Sequence, residues 1–93
     1  MRYTLAYHPL VVREDIPRLD KTIQERIKSA IEHKLMTHPE IFDVPLHRSL
    51  TGHRKLRVGE YRVVYRVHGA SIRILTIQPR SVVYVMAEKR SAA

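Results

Sequence analysis

The chain has no cysteine and no tryptophan, and only three of its 93 residues are glycine. Each shortage removes a class of chemistry. Without cysteine there are no disulfides and no thiolate zinc sites, which fits a reducing compartment. With so few glycines there is no glycine-rich phosphate loop, and no Ser/His/Asp arrangement is legible either. No apolar run approaches the ~18 residues of a membrane span. The N-terminal stretch MRYTLAYHPLVV lacks the long apolar core and small-residue cleavage site of a signal peptide. The expectation is a soluble cytoplasmic protein of one domain covering residues 1–93, large enough for one modest core.

Acidic residues are also scarce, but only in half of the chain. Residues 1–47 carry seven Lys/Arg and seven Asp/Glu, which cancel. Residues 48–93 carry ten Lys/Arg against Glu60 and Glu88 alone, so 10 − 2 accounts for the whole net charge of +8. An excess gathered in this way points to a surface that meets a polyanion. It also leaves the basic half without the paired carboxylates that two-metal nucleases need. The six histidines do not supply a metal site. His33 and His38 lie ~140° apart on a helix, and His8, His47 and His68 sit by turns with no acidic or thiolate partner in ligand spacing. No metal and no cofactor are expected.

What the chain does contain reads as a small α+β domain. YTLAY at 3–7 alternates and predicts a first strand. HPLVVREDIPRLD suits a short helix opening at Pro9, with Pro17 set against its going much further. From Asp20, a plausible N-cap, the pattern turns helical. Leu19, Ile23, Ile27, Ala30, Ile31 and Leu35 recur at three and four, and THP at 37–39 ends the segment. Residues 39–53 read as a connecting loop with a brief extended piece. Three strands are predicted at 54–58, 61–67 and 71–77, parted by Gly59-Glu60 and by His68-Gly69-Ala70 at hairpin length. The order is an N-terminal strand, one or two helices, then an antiparallel meander with the helices on one sheet face.

Alternation along those strands sorts the cations. Tyr61, Val63, Tyr65 and Val67 share one face, and Arg62, Val64 and Arg66 the other. Lys55 and Arg57 oppose Leu56 and Val58 in the same way. The simplest arrangement turns the apolar set to the helices and leaves Lys55, Arg57, Arg62 and Arg66 on an uncovered side. Such cations repel one another and favour a polyanionic ligand, and arginine's planar fork suits phosphate. Cleaving an RNA backbone requires a base for the 2′-hydroxyl, donors for the phosphorane and an acid for the departing 5′-oxygen. Lysine, arginines and a tyrosine can divide those tasks without a metal. A phosphate-binding or protein-binding face without chemistry has the same composition. QPRSVVY at 78–84 places Arg80 and Tyr84 four apart after the last strand. If the chain turns back there, both reach the mouth of the cationic face, where Tyr84 can stack on a base.

These stretches resemble a known family. LTGHRKLRVGEYRVVYRV, followed by a strand and QPRSVVY, together with VREDIPRLDKTIQERIKSAI in the helical half, is similar to the RelE/ParE superfamily of type II toxins, the RelE branch in particular. The resemblance implies a RelE-like fold and a ribosome-dependent, metal-independent endoribonuclease that cuts messenger RNA and inhibits translation. It implies an antitoxin encoded beside it, the ribosome and messenger RNA as partners, and contact with DNA only through a toxin–antitoxin repressor complex. Residue by residue, the family's basic strand pair falls on Lys55 and Arg57, the arginine after the Gly-x-Tyr step on Arg62, and the late pair on Arg80 and Tyr84. Lys55 and Tyr84 would then activate or orient the 2′-hydroxyl. Arg62 would hold the scissile phosphate, Arg57 would position the backbone, and Arg80 would stabilise the leaving oxygen. Arg54, Arg66 and His53, which stands where RelE has a further lysine, complete the expected RNA-binding set. The superfamily also includes ParE-type toxins, which inhibit DNA gyrase by binding it. That is the alternative reading.

Overall fold

The computed structural model describes residues 3–38 and 44–91. Strand β1 is Thr4–Tyr7, and a π-type segment, Val11–Asp15, runs into the short helix α1, Ile16–Arg18. The backbone of Ile16 is helical although a proline follows it, and its N–H bonds five residues back to Val11 O. Pro17 thus falls in the first turn of α1, where a missing N–H costs least. The helix therefore passes Pro17 by a single residue before Leu19 becomes extended.

Helix α2, Lys21–Ala30, opens as expected on Asp20, whose carboxylate accepts the Ile23 N–H at 2.9 Å. It continues as a π-type segment through Ile31–Leu35. The predicted stripe is the buried one: Leu19, Ile27, Ile31 and Leu35 join the core, with Ile23 and Ala30 packed beside it. A buried Leu or Ile side chain stabilises by roughly 1.5–3 kcal/mol, so this stripe accounts for much of the helix's attachment. Residue 39 of the expected THP stop, and the start of the loop after it, lie outside the described residues.

The brief extended piece is β2, Val44–Pro45, and a 3-10 turn, Arg48–Leu50, precedes the meander. That meander is β3 (Arg54–Val58), β4 (Tyr61–His68) and β5 (Ser71–Pro79), close to the expected bounds. The sheet order is β1-β5-β4-β3-β2. β1 pairs parallel with the first half of β5, and the other neighbours are antiparallel. A bulge at Val64/Tyr65 leaves Leu75 as the extra residue of β5.

The two strand faces separate as alternation predicts. Leu56, Val63, Tyr65, Ile72, Ile74 and Ile77 pack with α2 in one core. The second face, expected to stand bare, is covered in part by a C-terminal helix, α3, Val83–Ser91. Val83 and Ala87 bury there against Val64 and Leu50. One apolar row on a helix this short is too weak a pattern to read in advance, and the sheet residues it meets are Val64, framed by Arg62 and Arg66, and Leu75 at the bulge of β5. No helix among the described residues is long and apolar enough to cross a membrane.

Candidate functional site

The site grows from the β3–β4 hairpin. Gly59 takes a positive φ of 59°, a conformation that favours glycine, and closes the turn. The register sets Arg57 directly opposite Arg62 and Lys55 opposite Val64, so all three cations share the face that α3 partly covers. Like charges set opposite each other are unfavourable. Arg62 relieves part of this by bending back over the turn, where its Nη1 donates to Gly59 O and Tyr61 O, both at 2.9 Å. Neither bond uses its Nη2 or Nε.

The late pair comes to the same place. β5 ends with Pro79 opposite Tyr61, and the Arg80 N–H bonds to Glu60 O at 3.0 Å, which ties the chain to the hairpin turn. The Val82 N–H returns to Pro79 O at 3.1 Å, and the chain enters α3 immediately afterwards. With Val83 and Ala87 fixed in the core, Tyr84 falls over β3. There Lys55 Nζ donates to Tyr84 Oη at 2.6 Å and stands 5.4 Å from the ring centroid, within cation–π range. Arg80 and Arg57 are exposed, while Lys55 and Arg62 are half-buried.

The remaining expected binders lie apart. Arg54 pairs with Tyr65, on the sheet face that packs with α2. Arg66 is on the α3 face but at the other end of the sheet, its guanidinium 3.6 Å from where a Cβ on Gly52 would stand. His53 is beside it. Burial, then the charge of Arg66, push the His53 pKa below the ordinary histidine value, and the Leu50 carbonyl opposes them. Tyr84 marks the first turn of α3, whereas Arg66 and His53 line a groove at its last residue, Ser91.

A residue pair outside the expected set holds α3 in place. Arg90 reaches around β5 to Asp15, and that carboxylate also accepts the Ile77 N–H and the Gln78 side chain, each at 2.8 Å. No local signal marks Asp15, since its partners lie more than sixty positions along the chain. Arg73 was open to sequence reasoning, because alternation along 71–77 sets it on the face opposite Ile72 and Ile74; the register then places it across from Arg66. Among the described residues no group of His, Asp and Glu is placed to hold a metal.

Comparison with known proteins fits this geometry. The model of the ParE toxin of type II toxin–antitoxin systems matches residues 6–84. The chain belongs to the ParE toxin family. The RelE/ParE resemblance is thus upheld at the level of the superfamily. Among curated proteins none matches by sequence. Similar solved structures include the toxin–antitoxin complex RelBE2 from Mycobacterium tuberculosis, at 27% identity and TM-score 0.79, over 86% of this chain and 100% of that one. The archaeal RelE–RelB complex from Pyrococcus horikoshii is 27% identical with TM-score 0.63, over 86% and 97%. A mutant of the E. coli toxin RelE in the free state is 24% identical with TM-score 0.73, over 97% and 98%, and shows the shared fold.

Proposed function

We propose that this family member is a ribosome-dependent endoribonuclease that cuts messenger RNA without a metal. The observation that carries the reading is the 2.6 Å contact between Lys55 and Tyr84, set beside Arg57, Arg62 and the Arg80 turn. A tyrosine engaged by an ammonium, on a sheet face that also carries Arg57 and Arg62, suits transfer of a phosphodiester more than it suits a structural contact.

In this reading the 2′-oxygen attacks the neighbouring phosphorus and its proton passes to the Lys55–Tyr84 pair, which reacts one proton short, as a phenolate steadied by the ammonium. Arg62 holds the phosphate oxygens, where charge builds in the transition state, through the donors its bonds to Gly59 O and Tyr61 O do not use. Arg57 steadies the backbone, and Arg80 stabilises the departing 5′-oxygen. The bond between phosphorus and the 5′-oxygen breaks, and that oxygen takes up the proton the pair accepted, relayed through water, leaving a 2′,3′-cyclic phosphate and a 5′-hydroxyl. The ribosome's part is to present the message in a geometry that free RNA rarely adopts. A cognate antitoxin is the proposed protein partner, since two of the similar structures are toxin–antitoxin complexes. The site of action is the cytoplasm, where ribosomes are.

A gyrase-binding toxin is the second reading, because the matching family model is that of ParE. The fold is common to both and does not choose between them. Translation in vitro with added protein, followed by mapping of message 5′ ends with and without ribosomes, separates the two. Cuts that need ribosomes and vanish in Lys55→Ala or Arg80→Ala support the nuclease. Intact messages together with blocked gyrase supercoiling would replace it with the second reading.

A further inference from the structure

At the end of the α3 face away from Tyr84, a groove of about 480 Å³ opens where α3 finishes at Ser91. His8, His53, Arg66 and Arg73 line it. Arg66 and Arg73 face each other across β4 and β5 and both are exposed. Two like charges in directly opposed positions are unfavourable, and the ion pairs formed among the described residues include neither arginine. An anion between them would turn that repulsion into two charge-assisted contacts.

The histidines add a different chemistry. His8 Nδ1 accepts the Leu10 N–H at 3.1 Å, which assigns the ring proton to Nε2 and leaves that nitrogen as a donor. His53 is held toward its neutral form by burial and by Arg66. Two guanidiniums beside two imidazoles match a ligand that alternates an anionic linkage with neutral hydroxyls and base edges. A carboxylate-rich peptide offers the charge without the hydroxyls. The groove also lies about 10 Å from Tyr84, the rise of α3 from that residue to Ser91.

We infer that this groove is a second RNA subsite, in which Arg66 and Arg73 clasp a backbone phosphate a short way along the strand from the linkage at Lys55 and Tyr84. It rests on the nuclease reading for its substrate, and it adds Arg73 and His8 to the residues that touch RNA. Its role is to set the register of the strand over the cleavage site rather than to take part in the chemistry.

The test uses the full chain and a labelled single-stranded oligoribonucleotide whose 2′-hydroxyls are methylated so that it cannot be cut. Affinity is followed by fluorescence anisotropy across a salt series. Arg66→Ala with Arg73→Ala should weaken binding by about tenfold or more and flatten the log–log salt slope by about 0.7, the value for the one phosphate they clasp on a single strand. Lys21→Ala with Lys28→Ala removes the same charge from the exposed side of α2 and should change neither quantity appreciably. Equal losses in both pairs, an unchanged double variant, or no binding by the parent protein would overturn the inference. So would polyglutamate of matched charge competing as well as RNA, which would make the groove a protein seat. A failed groove beside intact cuts that depend on Lys55 would leave the nuclease standing. Loss of those cuts beside normal RNA clasping would instead remove the nuclease and keep the groove.

Discussion

Arg90, near the end of α3, meets Asp15 through two hydrogen bonds of 2.6 and 2.8 Å, both side chains almost wholly out of solvent. The pair bridges the layers on the two faces of the sheet at the edge of β5. β1 stops pairing at Ile74, so the Ile77 N–H beyond it is open, and Asp15 accepts it. Thr76 Oγ1 adds a further donor at 3.2 Å.

Removing one partner of a buried, hydrogen-bonded pair strands the other. Asp15→Ala should lower unfolding free energy by about 3–5 kcal/mol in urea titration. The double variant Asp15→Ala with Arg90→Met should cost clearly less than the sum of the two singles, since no charge is then left alone. Simple additivity of the two losses would mean that the bonds seen here contribute little together.

Tyr84 brings an aromatic face and a hydroxyl to the site, and the two separate by substitution. Tyr84→Phe keeps the ring and its cation–π contact and loses the hydrogen bond from Lys55, so ribosome-dependent cleavage should fall by about 10²-fold if the hydroxyl takes part in proton transfer. Tyr84→Ala also removes any base stacking and should fall further. Equal rates for the parent protein and Tyr84→Phe would take the hydroxyl out of the mechanism.

His53 predicts a pH effect on stability. Its pKa in the folded chain lies below the ordinary 6.5, because burial and Arg66 disfavour the charged ring. Above 6.5 the ring is neutral in both states and stability is at its full value. As pH falls below 6.5 and through the folded pKa, the unfolded chain binds the proton more readily and stability declines. The difference between the parent protein and His53→Gln in urea titration should therefore be flat above pH 7 and change sign-consistently below it. A flat difference throughout, or one that grows at high pH, would contradict this.

The hairpin cations predict a steep response to salt. Each phosphate neutralised on a single strand adds about 0.7 to the slope of log affinity against log salt. Ribosome association by sedimentation should weaken markedly between low and physiological salt. Arg57→Ala should shallow the slope by about that amount without shifting the midpoint of urea unfolding, since the side chain is exposed. A slope indifferent to Arg57 would place it away from the RNA.

Much of this architecture was legible beforehand, for identifiable reasons. The Asp20 cap, the Leu19-to-Leu35 stripe and the three meander strands are local patterns, and a local pattern fully expresses itself in a short window. Alternation likewise assigned Lys55, Arg57, Arg62 and Arg66 to one face. It could not say how far along that face they would sit. Arg66 therefore ended at the groove instead of beside Arg62, and Arg54, one residue before Lys55, necessarily faced the other way.

The amino-acid order by itself determined where the hairpins turn, which face each strand residue presents, and that positive charge collects in the second half of the chain. Those follow from backbone periodicity and from counting. Only the tertiary structure decided that α3 would cover the second face, that Tyr84 would come down on Lys55, and that Asp15 would receive Arg90 seventy-five positions away. Such contacts depend on how separate elements close on one another. Burial and hydrogen-bond satisfaction decide that closure over the whole fold, and no window of sequence contains both partners.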